Sequence, residues 1–333
     1  MSEFLIVGLG GSSGSFGPLT VILEGLPRDF SGAVLITVHR HPDSDSYLSH
    51  LMARKTVLPV RQAEHREVIE PGTIYVAPPG MHLIVFGGRI VLSPGPRENH
   101  ARPAIDVMFR SLAVDSGSRA IAILLSGLLS DGVSGLSAVA RCGGVTMVQD
   151  PSEAEFKDMP LRALEALVPD HCLSAQGILS ELKRITSEAP RSPSDANPPA
   201  DLRAELDIAM MNALTIGTEE WLGKRSNVSC PDCGGVLWEI EDKPPLRFRC
   251  HTGHAFAADV LAHSQAEKIE EAMWSAMRAL REQAETFRRL SDAADTAEAR
   301  GKWTNQARAA DANADRMSES IAVVAAAQSK RKN

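Results

Sequence analysis

A doubly wound α/β domain with a mainly parallel sheet is the fold class predicted for the first half of the chain, followed by a small zinc-ribbon-like module and a C-terminal α-helical hairpin. Three observations predict it. From residue 4 to about 183, short apolar runs of β type alternate with helix-compatible stretches, as helices laid on both faces of a parallel sheet require. Two cysteine-bearing knuckles come after a proline-rich break. The C-terminal stretch then repeats apolar residues at spacings of three and four, the period of an amphipathic helix.

In order, the candidate strands are 4–7, 33–38, 73–77, 82–86, 89–92, 120–125, 145–148 and 172–173. Gly87-Gly88 between two of them reads as a tight turn, which puts an antiparallel hairpin at one edge of the sheet. Residues 105–113 and 160–167 read as helices, and another helix begins near Gly17-Pro18-Leu19.

Between the first strand and that helix lies Gly8-Leu9-Gly10-Gly11-Ser12-Ser13-Gly14-Ser15. Small residues permit a sharp strand-to-helix turn, and the helix N-terminus offers unpaired N–H groups beside the serine oxygen. A dinucleotide loop competes as a reading, but the sixth position of G-x-G-x-x-G is Ser13, and the next strand ends in His39 rather than a carboxylate. A plain Gly/Ser turn is the third reading. His39 closes 33–38 at the carboxyl edge where open α/β sheets bind ligands. The strand 120–125 runs into Ser126-Gly127-Leu128-Leu129-Ser130-Asp131-Gly132. Three strand ends thus supply Ser12, His39 and Asp131, the set an ester hydrolase uses as nucleophile, proton shuttle and orienting carboxylate. Backbone N–H groups near Ser12-Ser13 and in the Gly127-Leu128 loop are candidate oxyanion donors.

These residues resemble the chemotaxis protein-glutamate methylesterases, the CheB family. The nucleophile motif is similar to Gly8-Leu9-Gly10-Gly11-Ser12-Ser13-Gly14, the histidine motif to Ile36-Thr37-Val38-His39, and the aspartate motif to Leu125-Ser126-Gly127-Leu128-Leu129-Ser130-Asp131-Gly132. Tyr75-Val76-Ala77-Pro78-Pro79-Gly80, Gly95-Pro96-Arg97-Glu98-Asn99, Arg102-Pro103-Ala104-Ile105-Asp106-Val107-Met108-Phe109, the segment from Gly143 to Pro151, and Met159-Pro160 extend the likeness over about residues 1 to 185. The resemblance implies hydrolysis of glutamyl methyl esters on methyl-accepting receptors or other proteins to glutamate and methanol, deamidation of receptor glutamine, and no cofactor for catalysis. Ser15 departs from the second glycine usual at its position. The well-known members also carry a phosphoacceptor receiver domain ahead of the esterase; here the first strand begins near residue 4, so an esterase without a receiver is expected. The rival class is a non-enzymatic signalling adaptor on the same fold.

Composition narrows the alternatives. The 333 residues hold 35 Lys and Arg against 42 Asp and Glu, a net charge of −7, with 44% hydrophobic residues. That balance argues against nucleic acid as the ligand, since phosphate binding draws on clustered cations. No long apolar window or signal-type leader is present, so no membrane insertion and a cytoplasmic protein are expected.

The organisation expected is a methylesterase domain at 1–185, a disordered linker at 186–200, a helical segment at 201–226, a zinc-ribbon-like module at 227–257 and a helical hairpin or coiled coil at 258–330. The linker holds four prolines and few apolar groups, so the segments beyond it are expected to move independently of the esterase domain. Cys230-Pro231-Asp232-Cys233 and Cys250-His251-Thr252-Gly253-His254 have zinc-knuckle spacing, and Cys230, Cys233, Cys250 and His254 make a Cys3His set for a structural zinc. His251 is the alternative fourth ligand, and a redox C-x-x-C the rival chemistry. Beyond, Met273, Met277, Leu280, Ala284 and Phe287 form one seam, and Trp303, Ala307, Ala310, Ala314, Met317, Ile321 and Val324 another, joined near Arg300-Gly301. Self-packing is one use of these helices and docking of a signalling partner another. His41 and His50 read as solvated loop histidines; His65, His82, His100 and His171 show no partner spacing; Cys142 and Cys172 read as buried small apolar groups. Arg97, Glu98, Asn99 and Arg102 suit either a substrate groove or internal salt bridges.

Overall fold

Residues 4–40, 47–188, 197–212, 223–240 and 245–329 are described by a computed structural model, which divides into two compact units, Met1–Leu261 and Ala262–Asn333. His41, the middle of the expected linker and part of the helical segment after it lie outside the described residues. In chain order the first unit contains β1 (Ile6–Gly11), α1 (Phe16–Gly25), β2 (Ala33–Val38), α2 (Tyr47–Ala53), β3 (Val60–Gln62), β4 (Ile74–Val76), β5 (His82–Phe86), β6 (Arg89–Ser93), α3 (Ile105–Ser116), β7 (Ala120–Leu124), α4 (Val133–Arg141), β8 (Val145–Gln149), α5 (Asp158–Ala166), β9 (His171–Leu173) and α6 (Ala175–Ser187). It continues through α7 (Ala200–Ala209), β10 (Lys224–Ser229), β11 (Val236–Ile240), β12 (Arg247–Cys250), β13 (Ala255–Ala257) and the start of α8 (Ala258–Asp292).

Seven strands form one parallel sheet in the order β3-β4-β2-β1-β7-β8-β9. β1 sits in the middle. The chain winds outward from it through β2 and β4 on one side and through β7, β8 and β9 on the other, which makes the carboxyl end of β1 the topological switch point. Alternate strand residues feed two cores. Ala33, Leu35, Ala120, Ala122 and Leu124 join Phe109, Leu112, Leu136 and Met159 from α3, α4 and α5; Val34, Ile36, Ile121 and Ile123 join Leu19, Ile22, Leu23, Ile178 and Leu182 from α1 and α6.

The glycines of β1 are strand residues. A Cβ at Gly8 would come within 2.6 Å of Leu112 Cδ1, and one at Gly10 within 2.3 Å of Ile105 Cγ2. They are bare so that α3 can lie against the strand. β1 therefore starts two residues later than the apolar run predicts and continues to Gly11. β2 and β5 match the predicted bounds. The antiparallel pair β5–β6 is present as a two-stranded sheet of its own. It packs on α3, where the Val85 N–H donates to Ser111 Oγ at 2.9 Å.

After the linker, β10 to β13 make a four-stranded antiparallel sheet. The expected independence of everything past the linker gives way here, because α7 and this sheet belong to the same compact unit as the α/β domain. A buried ion network joins them. Arg110 of α3 binds Glu98 through two bonds of 3.1 and 3.0 Å, Arg249 of β12 reaches Glu98 at 2.8 Å, and Arg247 holds Glu205 of α7 at 2.9 and 2.8 Å. Arg249 also bonds Glu205. All five side chains are at most 7% exposed.

The second unit holds the rest of α8 and α9 (Ala297–Ser329). Arg281 pairs with Asp311 and Asp315, and Phe287 stacks on Trp303 with centroids 5.7 Å apart. The Ser291 and Thr304 hydroxyls lie 2.9 Å apart, so the two helices run antiparallel. Ala284, Ala307, Ala310, Ala314 and Ile321 are buried, as both seams require. The turn precedes Arg300-Gly301, both of which are inside α9. Thr296 sets the start instead, its hydroxyl accepting the Ala299 N–H at 3.2 Å.

Candidate active site

Ser12 is the first residue past β1, at the switch point of the sheet. Its turn is pinned on three sides. The Ser12 N–H donates to the Ser126 carbonyl at 3.0 Å, and the buried Ser126 hydroxyl donates to the Ser13 carbonyl at 2.9 Å. Ser15 closes the turn, its N–H and hydroxyl reaching the Ser12 carbonyl at 3.1 and 2.6 Å. The departure from glycine at position 15 therefore adds a bond. Gly14 takes φ +73, and a Cβ there would meet Ser126 Oγ at 2.7 Å. Of the four candidate oxyanion amides, Ser12 and Gly127 are already used, the latter on the Phe156 carbonyl at 3.1 Å. Those of Ser13 and Leu128 carry no hydrogen bond among the described residues.

His39 comes directly after β2. Gly11 and Val38 are register partners, and the His39 N–H donates to the Gly11 carbonyl at 3.3 Å, so Ser12 and His39 leave neighbouring strands at one level. A Cβ at Gly127 would lie 2.9 Å from Ser12 Cβ, which brings the loop after β7 against the same point. That loop delivers Asp131. His39 Nε2 and Asp131 Oδ2 are 2.6 Å apart.

Asp131 is 2% exposed and lies at the N-terminus of α3. It accepts the Ile105 N–H at 2.7 Å and the Asp106 N–H at 3.2 Å, where the helix dipole favours an anion. The Asn99 amide donates to its other oxygen at 3.1 Å. Burial alone would raise the Asp131 pKa, but the His39 bond and charge, the Ile105 amide and Asn99 together hold it below the ordinary carboxylate value.

A second cluster forms in the antiparallel sheet. The ligand atoms of Cys230, Cys233, Cys250 and His254 all lie within 4.8 Å of one another. Sγ of Cys233 and Cys250 are 3.7 Å apart, and His254 Nδ1 is 3.7 Å from Cys230 Sγ and 3.6 Å from Cys250 Sγ. A tetrahedron with Zn–S near 2.3 Å and Zn–N near 2.05 Å has edges of about 3.8 and 3.6 Å, so this set fits a metal ion of that size. His251 is not part of the cluster; its ring lies beside Gly235 and Thr252.

The family model described as CheB methylesterase matches residues 7–182. The chain belongs to the CheB methylesterase family. Among its relatives, a Leptospira interrogans protein named as a protein-glutamate methylesterase/protein-glutamine glutaminase is 34% identical over 184 residues, 55% of this chain and 94% of the relative. An Anaeromyxobacter dehalogenans protein of the same designation is 34% identical over 188 residues, 55% of this chain, yet the match spans only 52% of the relative. The crystal structure of the Thermotoga maritima CheB methylesterase catalytic domain superposes with a TM-score of 0.53 at 28% identity, covering 56% of this chain and all of that one. The cysteine and histidine cluster and both long helices lie beyond the match. No helix among the described residues is long and apolar enough to cross a membrane.

Within this CheB-family domain, sequence reasoning left several residues without a definite role. Asn99 bonds Asp131 from the segment that read equally as groove or salt bridge, and Glu98 beside it took the salt-bridge role. Ser126 was visible only as part of a motif. His82 is fully buried, its ring nitrogens bonding the Pro96 carbonyl at 2.8 Å and the Ala104 N–H at 3.2 Å, and burial lowers its pKa. Cys172 is exposed rather than buried, because β9 is an edge strand; Cys142 is half-buried.

Asp106 carries a pH effect. Its carboxyl accepts the Asn99 amide at 3.0 Å and the Gly135 N–H at 2.7 Å. Burial, and next the charge of Asp131, push its pKa up to about 7. A folded pKa above the unfolded one contributes stability that is full below the unfolded value and is lost as pH rises through the folded value. Asp106 should therefore lower stability progressively between about pH 4 and pH 7. The lowered pKa of His82 works in the opposite direction, so the comparison must be with a variant. Thermal unfolding of Asp106→Asn at pH 5 and pH 8 should show a smaller decline, or a larger gain, with pH than wild type; parallel behaviour of the two proteins refutes the assignment.

Proposed function

We propose that this chain is a serine hydrolase that removes methyl groups from γ-glutamyl methyl esters of proteins, releasing glutamate and methanol. The observation that carries the reading is the 2.6 Å contact between His39 and Asp131, beside the strand end that presents Ser12 in a CheB-family domain. With Nε2 engaged by Asp131, Nδ1 is the ring nitrogen left to take the Ser12 proton. The serine oxygen then attacks the ester carbonyl, and the Ser13 and Leu128 amides stabilise the oxyanion. His39 returns its proton to the departing methoxide, methanol leaves, and water deprotonated by His39 hydrolyses the acyl-enzyme. Asp131 stays ionised throughout, as its lowered pKa requires. Phe16 and Leu128, both exposed, flank the nucleophile turn and leave it open to an ester carried on a protein surface.

The relatives' names extend the proposal to deamidation of protein glutamine, in which the same acyl-enzyme forms with ammonia as the leaving group. Methylated receptors of the chemotaxis type are the proposed substrates, and the cytoplasm the proposed location. Cys230, Cys233, Cys250 and His254 would hold a structural zinc, since four protein ligands leave no coordination position open for substrate. A docking role for the C-terminal helices with a signalling partner belongs to the same proposal.

The deciding experiment pairs methanol release from methylated receptor membranes with fluorophosphonate labelling. Labelling of Ser12 that disappears in His39→Ala, together with methanol release, supports the hydrolase; an inert Ser12 supports an adaptor on an esterase fold. Metal analysis of the full chain as purified should find about one zinc per chain, lost in Cys230→Ser; a folded wild type that carries no zinc as purified and takes up none when zinc is added refutes the metal assignment.

A further inference from the structure

The geometry points to a role for the cysteine and histidine module in the chemistry itself: β13, fixed by the metal knuckle, clamps Asn99, and Asn99 is a positioning residue for Asp131. The inference rests on the serine-hydrolase reading and adds to it a means by which metal loading sets the turnover rate.

Each connection from the module to Asp131 is a hydrogen bond. The Asn99 side-chain amide donates to Asp131 at 3.1 Å and to Asp106 at 3.0 Å, bridging two buried carboxyl groups. The opposite end of that side chain is held from β13, where the Ala257 N–H donates to Asn99 Oδ1 at 2.8 Å. The Asn99 backbone N–H donates to the Ala255 carbonyl at 2.8 Å, and the Ala255 N–H donates back to the Arg97 carbonyl at 3.3 Å. These contacts hold Asn99 and His100 at φ +52 and +60, two consecutive residues in the left-handed region. Such a pair costs free energy unless its surroundings impose it.

The grip on Asn99 starts at the metal cluster. β13 begins one residue after His254 and pairs with β12, which ends at Cys250. The Cys250 N–H closes the knuckle on the His254 carbonyl at 2.9 Å. Two of the four ligand groups therefore lie at the base of the hairpin that holds Asn99. Just beyond β13, Asp259 accepts a hydrogen bond from the hydroxyl of Ser130, the neighbour of Asp131. The module thus touches the loop of the triad carboxylate from two sides.

With the clamp released, the Asn99 amide leaves Asp131, and the carboxyl of Asp106 faces that of Asp131 without the donor they share. Asp131 keeps the Ile105 and Asp106 amides, so the fold survives while the alignment of His39 loosens. Outer-shell partners of metal ligands typically change affinity or activity by about 10- to 100-fold when mutated, and a loss at the lower end of that range is expected for Asn99 behind the carboxylate. Substrate binding is not engaged, so the loss falls on kcat.

The test uses the full chain as wild type, Asn99→Ala and Ala257→Pro, each zinc-loaded and after stripping with dipicolinate. Readouts are kcat and KM for methanol release, the rate of fluorophosphonate labelling at Ser12, and near-ultraviolet circular dichroism as the check on folding. The expected result is a drop of about tenfold in kcat and in labelling rate for Asn99→Ala at unchanged KM. Ala257→Pro and stripped wild type should match it, stripping should add nothing in Asn99→Ala, and zinc should restore wild type alone. Full kcat in Asn99→Ala or in stripped wild type overturns the inference, as do losses that multiply when combined. A chain that unfolds on stripping also overturns it, in favour of a purely structural metal. A wild type that releases no methanol and takes no label fails the hydrolase reading instead, so the two failures are distinguishable.

Discussion

Ser12→Ala is expected to abolish methanol release while leaving the protein folded. Removing the nucleophile of a Ser-His-Asp hydrolase costs about 10⁶-fold in kcat. The fold should not notice, because the bonds that shape the turn come from the backbone of Ser12 and the side chains of Ser15 and Ser126. Thermal unfolding should coincide with wild type, and fluorophosphonate labelling should vanish. Esterase activity retained by a folded Ser12→Ala protein would remove Ser12 from the mechanism.

The largest expected effect on stability is at Glu205. Glu205→Gln removes a buried anion shared by Arg110, Arg247 and Arg249, leaving Arg110 and Arg249 with Glu98 and taking from Arg247 the carboxylate that it bonds through two nitrogens. Breaking a buried pair from one side typically costs about 3–5 kcal/mol, because the surviving charge remains desolvated. Burial raises the Glu205 pKa, but Arg110, Arg247 and Arg249 together bring it well below the ordinary value. Its folded pKa is thus depressed, and its contribution persists above the unfolded value and is lost only as pH falls through the folded one. The deficit of the variant should accordingly be constant between pH 5 and pH 8 and insensitive to salt, as measured by urea unfolding. A deficit below about 1 kcal/mol would mark the network as no stronger than surface ion pairs.

Where one local rule decided the outcome, the structure was legible in the sequence. The runs 33–38 and 82–86 are bounded by turn residues and carry enough apolar side chains to read as strands. Ser12, His39 and Asp131 could be nominated because each ends such a run. β3 was not legible: Val60-Arg61-Gln62 is short, largely polar and paired on one side only. Gly8 and Gly10 read as loop because their reason for lacking side chains is α3, roughly a hundred residues away, whereas a Cβ at Gly11 would meet Ser15 of the nucleophile turn at 2.5 Å. The role of Asn99 was hidden for a similar reason, since it depends on contacts with Asp131 and with Ala255 and Ala257 that no local pattern encodes. The proline-rich break suggested independent motion, which a composition-based reading cannot weigh against Arg-Glu pairs formed across it.

The central place of β1 has a consequence for how the protein breathes. Its six residues are buried and bonded to strands on both flanks, whereas β3 and β9 each lack one neighbour. Amide protons of β1 should exchange with deuterium only through global opening, while those of the outermost strands exchange by fraying. The proposed nucleophile is thus tethered to a strand expected to be among the slowest to exchange.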